Sequence, residues 1–481
     1  MRNRVCVLSC LFLTLCASLC GCSPGSRSDG IVIRSGRHSL AEVCATGVAR
    51  HVLFTEGATC LLGVSSLRKG ITYRIEGAAV EVMGDLQVPN GVSVEIIKPR
   101  EFSGSLQADV SGSLILEGIP GKLDAAVSVQ KGGRFRCTDL TLCDSSGQFV
   151  KADAAEEVAL TSVRVGRISR QMLGGSSNSW TLTSCDFLCE NVTSPVVVLC
   201  GREVHVEKSR FIVGGDFGIS GWRIDGVFRF KATGTATFEN CEFACDETLK
   251  EKCGRFVEVL ARYLLCRGNK FSGIRAEVPV ALYGLLMDVT SNVFESIEAR
   301  GTFLVSAVLV SSAYGCLFYG NKFVGCESDG AVTSFFGHYS CVRQNTYDKC
   351  LGGDKSWLLA VWGDASIIGN SITGCSLHGL FSVNFSSRAF ADKIISTALK
   401  SGSISGNEVF TLVSSVPGVS PEVESAAKQS NRIAERPSWW STSSDWALVT
   451  CDLGEAAFWA DRGLAEFLPD AGDFWGEYAL W

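Results

Sequence analysis

A short phrase recurs along this chain: "CRGNKFSG" (Cys266–Gly273), "FYGNKFVGC" (Phe318–Cys326) and "IIGNSITGC" (Ile367–Cys375). Aligned on the residue two places after the Asn, the repeat has anchors at Phe187, Phe211, Phe243, Phe271, Phe294, Phe323, Tyr347, Ile372 and Val409, with weaker ones at Leu142 and Val165. From Leu142 onward the intervals are 23, 22, 24, 32, 28, 23, 29, 24, 25 and 37 residues. A period of roughly 20–30 residues with local insertions marks a solenoid, in which each repeat buries its apolar face only against its neighbours.

Two residues before the anchor stand Cys185, Ser209 and Cys241, then Asn269, Asn292, Asn321, Asn345, Asn370 and Asn407. Five before it every residue is apolar, from Leu182 to Ile404. Each repeat therefore reads as two short strands joined by a tight bend. Asn tolerates the left-handed backbone region, and identical amides can bond along a stack. A catalytic group is needed once per site, not once per coil, so these six asparagines read as a structural ladder. A third strand falls between the anchors, as in "VALYGLLMD" (Val280–Asp288), "FLVSAVLVS" (Phe303–Ser311) and "WLLAVWGDA" (Trp357–Ala365).

The expected fold class is all-β, a parallel β-helix with three short strands per coil. On this pattern the chain resembles the right-handed parallel β-helix superfamily, the pectate-lyase-like fold, from about Val52 to Phe410. Strand-like runs between Ile31 and Arg136 predict further coils without the Asn signature. A solenoid exposes its core at both ends and needs caps. "SLAEVCATGVA" (Ser39–Ala49) has Ser39 and Glu42 at capping-box spacing, which predicts a helix at the N-terminal end.

The first residues read as a targeting segment. Arg2 and Arg4 precede the apolar run "VCVLSCLFLTLCASL", which is too short and badly flanked for a stable membrane span. It closes on "LCGC" (Leu19–Cys22), which resembles the lipobox of bacterial lipoproteins. The resemblance implies cleavage before Cys22, a lipid on its thiol and, with Ser23 following, an outer-membrane destination in a Gram-negative envelope. The expected organisation is then a signal peptide at 1–21, a lipidated tether at 22–35, the β-helix at 36–413, a linker at 414–445 and a Trp-rich tail at 446–481 that packs on the solenoid.

The formal charge is −6, about −8 once Arg2 and Arg4 are removed, and no basic stripe is present, which argues against a nucleic-acid partner. Of the 22 cysteines four leave with the signal and Cys22 carries the lipid; the remaining 17 are an odd number. Cys326, Cys350 and Cys375 follow their anchors by three residues and are expected to stack. Stacked thiols, one disulfide with a thiol left over, and a metal site are the alternatives; a linear stack suits the last least. Cys245 and Cys253 flank the insertion "CDETLKEKC", which a disulfide can close.

Function is sought where the repeat is interrupted. Trp222, Arg223 and Asp225 in one insertion, and Asp354, Lys355 and Trp357 in another, are candidate ligand-binding residues. Polysaccharide lyases of this fold use Lys or Arg with acidic calcium ligands, and its glycoside hydrolases use clustered aspartates. The corresponding strands here are nearly uncharged, so no catalytic residue, metal ligand or cofactor is assigned. "FYGNKFVGCESDGAV" (Phe318–Val332) is similar to the repeats of chlamydial polymorphic membrane proteins, a family of β-helix adhesins. The expectation is a lipid-anchored, non-catalytic surface protein that binds a glycan or a protein partner. The alternative is a carbohydrate-active enzyme, a lyase or hydrolase of the same fold.

Overall fold

The computed structural model describes residues 22–23, 30–45, 50–63, 67–143, 148–215, 226–245, 253–301, 305–337, 339–353, 356–362, 365–384, 388–405, 407–416, 420–428 and 432–433. They form a parallel β-solenoid in two compact units. The first comprises residues 1–190 and 196–210, the second 191–195 and 211–481.

In the first unit an inner column runs through nine rungs in register. Ile31, Val52, Tyr73, Val94, Leu114, Phe135, Val158, Trp180 and Val204 are successive partners. From Val52 on each is buried. Parallel pairing places one strand of each coil above the same strand of the next, so only residues one period apart need to match. Trp180 is fully buried, and its indole N–H is satisfied by the Cys200 carbonyl at 3.1 Å. The Leu142, Val165 and Phe187 anchors also pair in series.

Ser39 and Glu42 form a reciprocal capping box: the Glu42 N–H donates to Ser39 Oγ and the Ser39 N–H to the Glu42 carboxylate, both at 3.1 Å. The helix they open is short, Leu40–Ala45. Cys22–Ser23 pairs antiparallel with Val32–Ile33, within the segment read as a tether.

In the second unit the anchors Phe243, Phe271, Phe294, Phe323, Tyr347 and Ile372 pair rung to rung. Five consecutive ring pairs, from Phe211–Phe243 to Phe323–Tyr347, stack at 4.6–5.2 Å between centroids, with planes within 15°. One column assignment needs correction. Ile372 pairs with Ile404, not with Val409, and Val409 pairs with Leu377. The helix Arg388–Ser401 takes the place of a strand in that coil, and "GNEVF" imitates the bend phrase one corner further on. Asn407 therefore does not extend the Asn column. Its Oδ1 accepts from the Cys375 N–H at 2.9 Å, in the cysteine column.

In the expected linker at 414–445 the chain instead continues its strand to Val416, forms the helix Pro421–Lys428 and adds the strand Arg432–Ile433 beside Glu408–Val409. The tail at 446–481 lies outside the described residues.

Candidate functional site

Three features of the second unit and one of the first bear on function. The Asn column comes first. The backbone N–H and side-chain Nδ2 of Asn269 both donate to Asn292 Oδ1, at 2.9 and 3.0 Å. Asn292 does the same to Asn321, Asn321 to Asn345, and Asn345 to Asn370. The second amide hydrogen of each goes to a carbonyl of the preceding coil, as from Asn321 to Val289 at 2.9 Å. These amides are buried and hydrogen-bonded inside the wall, where no ligand reaches them. The left-handed backbone is carried by the residue before each Asn: Gly268, Ser291, Gly320, Gln344 and Gly369 have φ between 52° and 66°. Asn is selected here for its amide, not for its backbone tolerance.

Cys326, Cys350 and Cys375 form a second inner column, continuing Ile274 and Ile297. All three are buried free thiols, and hydrogen bonding with the Cys326 and Cys375 thiols together with burial raises the pKa of Cys350. One sulfur per rung gives a line, not a tetrahedron. Among the described residues no group of three His, Cys, Asp or Glu side chains converges as metal ligands would.

The outer wall of the second unit is the third feature. Rows on successive strands are fixed by register. Phe228 and Phe230, packed on Phe211, face inward, so the residues alternating with them face out. One outward row runs Arg229, Glu258, Ala281, Leu309, Ser334, Ala360, and the next Lys231, Leu260, Tyr283, Ser311, Phe336. A polar end thus passes into an apolar patch. At the polar end Arg255 and Arg229 both pair with Glu258, and the Arg255 guanidinium lies 5.6 Å from the Tyr283 ring centroid. In the patch Val278, Ala281, Tyr283, Leu285, Leu309 and Ala313 pack together. Trp357 is 8% exposed, packs on Ala331 and Ala360, and meets the His378 ring edge-on at 5.1 Å.

The first unit carries a surface groove of about 270 Å³, lined by Lys122, Thr141, Leu142, Arg164, Val165, Gly166, Asp186 and Leu188. Lys122, Thr141, Arg164 and Asp186 are rung partners in one outward row beside the inner anchors. Arg210 approaches Asp186 at 3.6 Å, and Leu188 is 39% exposed. The groove is cationic on balance, with an apolar lip.

Of the candidate ligand residues, Trp357 is in the wall described above. Trp222, Arg223, Asp225, Asp354 and Lys355 lie outside the described residues. Cys245 is half-buried at the end of the strand Glu242–Cys245; the side chain of Cys253 lies outside the described residues, so their pairing is not placed. The side chain of Cys22 is likewise outside them. Sequence reading missed the groove. Its residues are some twenty positions apart, and only the rung register brings them together. Comparisons with protein-family models, with curated proteins and with solved structures find no match to this chain.

Proposed function

We propose that this chain is a lipid-anchored envelope protein that binds an acidic glycan in the groove of its first unit, without turning it over. The observation that carries the reading is the row Lys122, Thr141, Arg164: two cations and a hydroxyl on neighbouring rungs of one concave strip. Strands about 4.8 Å apart repeat these donors along a line, which suits a linear polyanion. The exposed Leu188 offers an apolar contact for a sugar face. The right-handed, three-strand coil and the helix at Leu40–Ala45 as its cap belong to this reading, as does an acylated Cys22. Several acyl chains hold a protein on a bilayer at about 0.8 kcal/mol per buried methylene.

The test is binding to immobilised uronate polysaccharide beside a neutral glucan. Uronate-selective binding, weakened about tenfold by the double substitution Lys122→Ala with Arg164→Ala and by added salt, is the expected result. Equal binding to both glycans, or no effect of the double substitution, sinks the groove assignment. Unsaturated products or new reducing ends would replace the reading with that of a lyase or hydrolase. For the anchor, mass spectrometry should find the lipid on Cys22, and Cys22→Ala should release the protein from membranes.

A further inference from the structure

The outward patch of the second unit presents a contradiction that its own geometry resolves. Ala281, Leu285, Leu309 and Ser334 point away from the core, yet Tyr283 and Leu309 are each only 2% exposed. The strand Arg275–Thr290 is buried on both faces from Val278 to Leu285, as is Ser306–Ala313 in its neighbour. A parallel sheet buried on both faces has something packed on each. The described helices pack elsewhere: Arg388–Ser401 chiefly on Ala365–Ile368, and Pro421–Lys428 on Glu408–Val416.

We infer that the C-terminal segment 434–481 of this same chain is the cover of that patch, seating its tryptophans on Val278, Tyr283 and Leu309 and its carboxylates on the basic end of the wall. Three observations select it. It is apolar in the required way, with Trp439, Trp440, Trp446, Trp459, Trp475 and Trp481 in 48 residues. It is strongly acidic, nine carboxylates against Arg436 and Arg462, while the wall's charged end holds Arg229, Lys231 and Arg255 against Glu258. Arg262 Nε is buried and has no hydrogen-bond partner among the described residues. Burying a guanidinium N–H without an acceptor is costly, and a carboxylate would satisfy it. The reach is ample. The last described strand, Arg432–Ile433, lies six strand steps or about 29 Å from Arg275–Thr290. Forty-eight extended residues span about 150 Å.

A photo-crosslinking phenylalanine analogue in place of Tyr283 of the full chain tests the placement. Adducts to peptides of 434–481 within the same molecule, at a yield independent of protein concentration, are the expected result. Adducts to 216–225, adducts between two copies, or none at all overturn it. A second arm places a protease site after Ile433 in the full chain. The released fragment should co-elute with the solenoid, and Leu309→Lys should weaken that association at least about tenfold with the β-sheet circular dichroism unchanged. A fragment that leaves the unsubstituted protein at once, or stays equally well on folded Leu309→Lys, also overturns the placement. If Leu309→Lys does not fold, the crosslinking result decides.

Discussion

The outer walls of the two units are built on the same parallel ladder and are finished in opposite ways. In the first unit the surface beside the inner column carries charges that meet across rungs: Arg74 with Glu95 at 3.6 Å, Lys98 with Glu117 at 3.5 Å, and Arg136 with Glu157 through two contacts of 2.9 Å. The first unit's strands alternate buried with exposed or half-buried residues, as Leu106–Val110 and Ser113–Glu117 do. In the second unit the outward positions Ala281, Leu309, Ser334 and Ala360 of its wall are small or apolar and buried. Stacking constrains the inward residue and leaves the outward one free. The outward rows therefore record what each wall faces: water in the first unit, packed matter in the second.

That contrast can be broken at the inner columns, where the largest effects lie. Phe294→Ala in the second unit and Phe135→Ala in the first should each cost about 3–5 kcal/mol by urea unfolding, since both empty a packed column. A marked inequality between them would mean that one unit's core is not packed as described. Next comes the Asn ladder, which among the described residues lies in the second unit. Asn321→Ala removes the acceptor of two Asn292 donors and the donor to Val289, and should cost about 2–4 kcal/mol. A loss under about 1 kcal/mol would show that the ladder adds no more than water would.

Alkaline titration probes both units through their buried thiols. Burial pushes Cys185, in the first unit, up from 9.0 to about 11, and Cys266, in the second, up to about 12. The native thiols hold their protons while the unfolded chain loses them. Stability is therefore fully present below pH 9 and falls as pH rises from there through the folded values, by up to about 1.4 kcal/mol per pH unit for each thiol. Cys266→Ala should remove one thiol's share of the slope, and an unchanged slope refutes that assignment. The smallest effect belongs to the exposed wall. Arg136→Ala, next to Phe135 in sequence but on the other face, should change stability by less than about 1 kcal/mol and by less still in high salt.

Much of the second unit was legible in the sequence because a stack of rings and amides repeats the same letters every coil. Phe243 through Tyr347 occupy the column that their spacing assigned them. The reading failed at Asn407 because a bend phrase looks alike at any corner, and only pairing tells one corner from the next. In the first unit the inner column mixes Val, Tyr, Leu, Phe and Trp, so its coils show as strands without revealing which residues stack. The apolar run Val280–Asp288 marked a strand, but nothing in it said that both faces are buried or what covers them. The groove is invisible to spacing, since Lys122, Arg164 and Asp186 are ordinary surface residues until register aligns them.

The Asn column has a direction. Each rung from Asn269 to Asn345 gives two hydrogens forward, to an oxygen that arrives with the following coil, and its remaining one backward, to a carbonyl already in place. A chain that folds from its N-terminus thus always ends in a live turn, whose backbone and amide hydrogens wait for the next Asn. Each docking closes the previous turn and opens a new one, so the ladder grows like a polar filament by addition at one end.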